Sequence, residues 1–308
     1  MSAPEDLSGV RLLPVGGEGP EDVLVDDAGR VYTGLDDGRI VRIVDGGVET
    51  VARVAGRPLG LEFLGDDELL VCASGGGLLA VPLAGGEVRT LADRFAGVPL
   101  GAVNNAAVAG DGTVYFSDSS TRYPIPLWRD DLLRRTRTGR LFRRDPDGTL
   151  TELLGGLEFA NGVALAADGS FVAVAETGAR RIRRVWLTGP RAGADDVLAD
   201  DLWGYPDNIS TGSDGLIWAA LASRRVAVLD VVQKLPSFVG AAISRVPQRL
   251  QPKPDPSVGV VALDAGGRIV RRLIGAVDGF PMLTGVRESG GALWFGSLHG
   301  PHVATLRG

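Results

Sequence analysis

Short runs of β-branched and aromatic residues recur along the chain, and each run follows a turn. Six such runs occupy residues 30–34, 68–72, 113–117, 170–174, 216–220 and 292–296. Each begins directly after a pair of turn-forming residues that contains glycine or aspartate. Residues of these types in runs of this length favour β-strands. The pattern predicts six equivalent strands of one repeated unit.

A second pair of β-forming runs follows most of these strands. The pairs occupy residues 38–43 and 48–51, 77–81 and 88–91, 139–144 and 150–153, 182–186 and 196–199, and 259–263 and 269–273. Four strands per unit, with units about 40 to 60 residues apart, are typical of propeller blades. The sixth unit ends at 302–306, and residues 10–14 could supply its fourth strand. The sequence therefore predicts an all-β, six-bladed β-propeller with four antiparallel strands per blade, closed by an N-terminal strand.

The composition agrees with one large domain spanning residues 1–308. The chain has 45 glycines and 18 prolines, which suit many tight turns, and 44% of its residues are hydrophobic. No apolar run reaches the roughly 18 residues that a membrane span needs, and the N-terminus lacks the features of a signal peptide. The net charge of −6 argues against nucleic-acid binding. We expect a soluble, cytoplasmic protein that acts on a small molecule, and the sequence indicates no oligomeric state.

Two segments interrupt the repeat, at residues 119–138 and 224–256. In the longer segment, apolar residues spaced three and four apart predict helices, which end at Pro247 and the proline-rich run 252–256. Both segments join the second strand of a blade to the third, so they should overhang the face where the innermost strands begin. We expect a lid or the walls of a substrate pocket. The alternative is a helical plug that only covers apolar surface.

A register of polar residues accompanies the six turns. Counting back eight residues from the second turn residue of each unit gives Glu21, Leu59, Asn104, Asn161, Asp207 and Leu283. If the repeats close into a ring, these positions meet round one axis. Four of them carry side-chain oxygens, and Asn208 follows Asp207. Hard oxygen donors without sulfur or imidazole suit Ca²⁺, although another divalent cation remains open. Alternatively, each residue caps its own turn.

Seven segments of the chain carry a family likeness. They are residues 103–105, 115–120, 138–141, 159–163, 174–177, 179–190 and 204–209. They resemble the superfamily of calcium-dependent six-bladed propellers that includes senescence-marker-type gluconolactonase, the paraoxonases and the strictosidine synthase-like proteins. The resemblance is greatest to the strictosidine synthase-like branch that contains the adipocyte plasma-membrane-associated protein. It implies that five residues are calcium ligands, with Asp207 also in an acid/base role: Glu21, Asn104, Asn161, Asp207 and Asn208.

Two positions depart from that superfamily. Leu59 stands where paraoxonases have a histidine that is proposed to help activate water. Thr284 stands near the place of the glutamate base of plant strictosidine synthases, which lack the asparagine matched by Asn161. These differences disfavour alkaloid condensation.

We therefore expect a calcium-dependent hydrolase of a lactone or ester, in which the metal polarises the carbonyl and Asp207 can act as the base. The alternatives are a strictosidine synthase-like condensing enzyme of secondary metabolism and a non-catalytic, calcium-stabilised binding propeller. The two histidines, His299 and His302, lie near a turn of the last blade. His299 is either an acid/base of the pocket or a solvated loop residue.

Overall fold

The computed structural model describes residues 5–235, 237–246, 255 and 257–307. Its strands form six four-stranded antiparallel sheets, which confirms the predicted six-bladed propeller. The first strands of blades 2 to 6 contact one another in succession around the centre, and the first strand of blade 1 contacts that of blade 6. The innermost strand of each blade is therefore the first in sequence, and the fourth is outermost.

The first three blades follow directly along the chain after an N-terminal strand, β1 (Arg11–Pro14). Their strands and the hairpin between blades 2 and 3 are: blade 1, β2 (Leu24–Val25), β3 (Val31–Gly34), β4 (Arg39–Val44) and β5 (Gly47–Arg53); blade 2, β6 (Arg57–Leu64), β7 (Glu68–Ser74), β8 (Gly77–Pro82) and β9 (Arg89–Ala92); the hairpin, β10 (Arg94–Phe95) and β11 (Val98–Pro99); and blade 3, β12 (Val103–Val108), β13 (Val114–Asp118), β14 (Gly139–Arg144) and β15 (Leu150–Leu157).

The second three blades complete the ring. Their strands are: blade 4, β16 (Ala160–Leu165), β17 (Phe171–Glu176), β18 (Arg181–Trp186) and β19 (Asp195–Ala199); blade 5, β20 (Gly204–Thr211), β21 (Ile217–Arg224), β22 (Val258–Leu263) and β23 (Ile269–Gly275); and blade 6, β24 (Leu283–Ser289), β25 (Ala292–Ser297) and β26 (His302–Arg307), with β1 as its fourth strand. β1 pairs antiparallel with β26, with Arg11 opposite Thr305 and Pro14 opposite His302. The predicted closure of the ring by an N-terminal strand is confirmed.

Apolar side chains fill the space between each pair of neighbouring blades, and six buried clusters occupy the six interfaces. On β17, Phe171, Ala173 and Ala175 face blade 5, whereas Val172 and Val174 face blade 3. Successive side chains of a strand point to opposite faces. Because both faces of a blade are covered, its strands read as continuous apolar runs rather than as alternating ones.

The two insertions are helical where the structure describes them. Between β13 and β14 lie a 3-10 turn (Ile125–Leu127) and α1 (Trp128–Arg134). Between β21 and β22 lie α2 (Ala227–Lys234) and α3 (Ser237–Ile243), and α1 contacts both. The prolines predicted to end these helices, Pro247 and those of 252–256, lie outside the described residues. In the described part of the chain, no helix has the length and apolar character needed to cross a membrane.

Candidate metal centre

Five of the six register positions line one pocket at the centre of the propeller. They are Glu21, Leu59, Asn104, Asn161 and Asp207. Asn104, Asn161 and Asp207 lie near the beginning of their innermost strands, and Glu21 precedes β2. The repeat therefore brings residues from five different blades together, four of them with polar side chains.

A β-bulge lies at the beginning of the innermost strand in blades 2 to 6. Regular pairing with the second strand is broken between Pro58 and Leu61, Val103 and Ala106, Ala160 and Val163, Pro206 and Ile209, and Leu283 and Gly285. A bulge bends its strand and changes the direction of the side chains within it. Asn104, Asn161 and Asp207 each lie within one of these bulges.

The register is displaced by one residue in blade 6. Thr284, and not Leu283, lies within the bulge of β24, whereas Leu283 packs in the apolar cluster between blades 5 and 6. Both the turn and the bulge of this blade differ in length from those of blade 3, so counting back eight residues reaches the wrong position. The Thr284 hydroxyl donates to the carbonyl oxygen of Glu21 at 2.8 Å. Thr284 therefore holds the segment that carries Glu21.

Three amide side chains each present an oxygen that has no hydrogen-bond partner. The Oδ1 atoms of Asn104, Asn161 and Asn208 are buried and unpartnered. Their Nδ2 groups are held, in that order, by Ser119 Oγ at 2.9 Å, Thr177 Oγ1 at 3.2 Å and Glu21 Oε2 at 3.0 Å. A buried polar atom without a partner costs about 1–3 kcal/mol. Asn104 and Asn161 line the pocket, and Asn208 is hydrogen-bonded to the pocket residue Glu21, so these oxygens suit a positively charged or hydrogen-bonding ligand.

The orientation of one of these amides follows from its neighbours. The Thr177 hydroxyl donates its single proton to the Pro206 carbonyl at 2.7 Å. Thr177 Oγ1 can therefore only accept from Asn161, which requires the Asn161 amide nitrogen, and not its oxygen, on that side. The Asn161 oxygen consequently faces away from Thr177. Neither Thr177 nor Ser119 follows the eight-residue register, so the sequence pattern alone did not identify these anchors.

The two carboxylates of the site are buried and repel each other. Glu21 is 3% exposed and Asp207 is 9% exposed. Burial raises the pKa of Glu21 well above its ordinary range, and the negative charges of Asp207 and Asp22 raise it further. Burial likewise raises the pKa of Asp207. A divalent cation between the two groups would offset both effects.

The donor set fits a hard divalent cation. It consists of two carboxylates and three amide oxygens, which are ligands that Ca²⁺ accepts in irregular geometry. Among the described residues, no group of three or more histidine, cysteine, aspartate and glutamate side chains could hold a metal. A cation here would therefore depend on the amide oxygens as much as on the carboxylates, and zinc, which prefers nitrogen and sulfur, would fit poorly.

The pocket walls are mostly apolar, and half of their apolar residues come from the two insertions. The apolar lining residues are Leu59, Ile125, Trp128, Leu132, Leu133, Phe159, Tyr205, Ala222, Val226, Leu229, Met282 and Leu298. Of these, Ile125, Trp128, Leu132 and Leu133 belong to the first insertion, and Val226 and Leu229 to the second. An apolar wall excludes water and strengthens electrostatic interactions within the site. Neither histidine is among the described residues that line the pocket.

A buried charge cluster lies behind Glu21 and was not recognised in the sequence. Arg287 Nη1 lies 2.5 Å from Glu62 Oε1, and Arg287 Nη2 lies 3.9 Å from Asp22 Oδ2. Asp22 Oδ2 also accepts from the backbone nitrogen of Leu61 at 3.0 Å and from Asn105 Nδ2 at 3.4 Å. These contacts join blades 1, 2, 3 and 6 beneath the site.

Solved structures of other proteins share the fold. A putative gluconolactonase superposes with a TM-score of 0.68 at 19% identity, over 97% of this chain and 91% of that one. A gluconolactonase from Xanthomonas campestris gives 0.70 at 18% identity, over 97% and 89%. Regucalcin from Agrobacterium tumefaciens, described as a calcium-binding protein, gives 0.67 at 14% identity, over 99% and 95%. At these identities the likeness shows the fold alone.

Sequence comparison identifies the family more closely. Residues 104–190 match the strictosidine synthase family, and residues 3–43 match the N-terminal region of strictosidine synthase-like proteins. Strictosidine synthase-like protein 10 of Arabidopsis thaliana is 33% identical, over 98% of this chain and 91% of that protein. The adipocyte plasma membrane-associated protein of Rattus norvegicus is 30% identical, over 94% and 83%. The likeness expected from the sequence is confirmed, and the chain belongs to the strictosidine synthase-like family.

Proposed function

We propose that this protein is a calcium-dependent hydrolase of lactones or esters. Its calcium ligands would be Glu21, Asn104, Asn161, Asp207 and Asn208. The observation that carries the proposal is an apolar pocket lined by two buried carboxylates and by two asparagines with unpartnered oxygens, with the Asn208 amide, whose oxygen is also unpartnered, hydrogen-bonded to Glu21. The fold shared with gluconolactonases and with a calcium-binding regucalcin supports it.

Each part of the pocket has a role in this reaction. Bound calcium would polarise the carbonyl and stabilise the negative charge that develops on its oxygen. Asp207, the more exposed of the two carboxylates, takes a proton from the attacking water while the water oxygen bonds to the carbonyl carbon. The same proton then passes to the departing alkoxide. Asn208 and Thr284 orient Glu21, and the apolar walls hold the body of the substrate and exclude other water.

Hydrolysis with and without calcium tests the proposal. We expect the protein to hydrolyse members of a panel of lactones and aryl esters. Its kcat/KM should fall at least about tenfold in excess chelator and recover when calcium is returned. The melting temperature should fall with chelation and rise with calcium, because a ligand bound only by the folded state stabilises it. Turnover that persists undiminished in excess chelator would contradict the proposal.

The same experiment separates the alternatives. A non-catalytic propeller would show the change in melting temperature without cleavage of any ester. A condensing enzyme would need an acid/base side chain at the position of Thr284, but the hydroxyl there is buried and donates to Glu21. The family name alone therefore does not favour condensation.

Three further expectations from the sequence stay predictions. They are a single domain over residues 1–308, a cytoplasmic location and no binding to nucleic acid. One relative is named for its association with the plasma membrane, so location should be measured directly by fractionating cells that express the protein.

Substitution of Gly162 should displace the backbone that carries Asn208. A β-carbon at Gly162 would lie 2.1 Å from the backbone nitrogen of Ile209 and 2.6 Å from the backbone of Asn208. We expect Gly162→Ala to reduce the free energy of unfolding by about 1–3 kcal/mol and to weaken calcium binding measured by calorimetry. Gly110→Ala is the matched control, because nothing lies within 4 Å of a β-carbon there. Unchanged calcium affinity in a folded Gly162→Ala protein would contradict the proposed ligand role of Asn208.

A further inference from the structure

One basic side chain lies among the described residues that line the pocket, and it is Arg129. It belongs to α1 of the first insertion, and its guanidinium lies 5.2 Å from the centre of the neighbouring Trp128 ring. The other charged lining residues are Glu21 and Asp207. The pocket thus combines an acidic, amide-rich centre, apolar walls and a single guanidinium on its lid.

Arg129 differs from the two arginines that directly follow its helix in having no carboxylate partner among the described residues. Arg135 and Arg137, which follow the same helix, both pair with Glu158, at 2.7 and 2.9 Å. No carboxylate lies within 4.0 Å of Arg129 in the described part of the chain, and its guanidinium contacts the Trp128 ring. A guanidinium that faces an apolar pocket is partly shielded from water, so pairing with a ligand carboxylate is stronger there than on an open surface.

We propose that Arg129 recognises an anionic group of the substrate. The substrate would then be an ester or lactone with an apolar body and a carboxylate, with its reacting carbonyl at Asp207 and its carboxylate at Arg129. This inference rests on the proposed function. The two site carboxylates balance a divalent charge, so the centre offers an anion little net attraction, whereas Arg129 offers a full positive charge. The apolar lining between them accommodates a hydrocarbon body.

His299 provides a reporter of the lid that does not depend on turnover. Burial lowers its pKa, and the positive charges of Arg57 and Arg129 lower it further, while Asp36 and Glu18 act in the opposite direction. An anion bound at Arg129 would offset part of that repulsion. The chain contains two histidines, so the imidazole NMR signals can be assigned with one His299→Gln variant.

Matched substrates test the inference kinetically. The probes are the para-nitrophenyl esters of hexanoic and decanoic acids and the mono-para-nitrophenyl esters of adipic and sebacic acids, which replace the terminal methyl by a carboxylate. At the chain length with the higher kcat/KM, we expect the carboxylated ester to exceed the neutral ester by about tenfold in kcat/KM, as one charge-assisted contact allows. Arg129→Met should remove this preference through KM, with a larger loss for the carboxylated ester than for the neutral one, while Arg129→Lys should retain part of it.

Arg122→Met is the control, because Arg122 is exposed in the same insertion and does not line the pocket; it should keep the full preference. Equal kcat/KM for the two ester types, or an equal loss on both in Arg129→Met, would overturn the inference while leaving hydrolysis intact.

The corresponding amides provide a binding test that does not require hydrolysis. The carboxylated amide should shift the His299 signals in the wild type but not in Arg129→Met. That result without any ester cleavage would support the role of Arg129 in binding and reject the hydrolase proposal, whereas no shift would reject the role of Arg129.

Discussion

Asp207→Asn is expected to lower kcat for ester hydrolysis by at least about 100-fold, even when calcium is saturating. A general base contributes roughly 10²–10⁴ to a rate, and asparagine cannot accept the proton of the attacking water. The substitution also removes one of the two buried negative charges of the site, so calcium affinity should fall as well. Measuring kcat as a function of calcium separates the two effects.

Two companion variants make this result specific. Glu21→Gln should weaken calcium binding, and raising the calcium concentration should restore much of its activity, because Glu21 is held by Asn208 and is assigned no proton-transfer role. Asp66→Asn changes an exposed carboxylate and should behave as the wild type. If saturating calcium restores Asp207→Asn fully, then Asp207 is a ligand only and the base must be sought elsewhere.

The recurring turns and apolar runs were enough to predict the architecture and most of the centre. Each blade is covered on both faces, so its strands appear in the sequence as unbroken apolar runs bounded by turns. The register located Glu21, Asn104, Asn161 and Asp207 in one pocket because each lies at an equivalent point of a repeated strand. The same counting was wrong in blade 6, where the bulge contains Thr284 rather than Leu283.

Residues outside the repeat could not be placed by the same reasoning. Ser119 and Thr177 follow the second strands of their blades, and they orient the site amides through contacts between strands that leave no periodic signal. The helix that carries Arg129 has seven residues and follows a proline-interrupted turn. A segment of that length is too short to show a clear helical period. Its position over the pocket depends on packing against α2 and α3.

Arg287→Met is expected to reduce the free energy of unfolding by about 3–5 kcal/mol, because removal of one partner leaves buried charges without compensation. The Arg287, Glu62 and Asp22 side chains are 13%, 19% and 2% exposed. Arg287 also donates to the Leu61 carbonyl at 3.2 Å. Urea denaturation of the calcium-loaded protein measures the loss. In the control Arg89→Met, the broken pair with Glu68 is more exposed, at 55% and 24%, so its loss should cost at most about 1 kcal/mol.

The effect of Arg287→Met should also depend on pH. Burial already raises the pKa of Glu62 and of Asp22, and Arg287 opposes that rise. Without Arg287 both pKa values should rise further, so the folded protein would bind protons that the unfolded chain has released. Between the pKa values of the unfolded chain and the higher values of the folded protein, the free energy of unfolding therefore falls as pH increases. The deficit of the variant should be larger at about pH 8 than at about pH 5. The double variant with Glu62→Gln should recover part of the loss at the higher pH, because it removes one uncompensated charge. A deficit that is independent of pH would mean that Arg287 stabilises the centre through packing and its backbone contact rather than through charge.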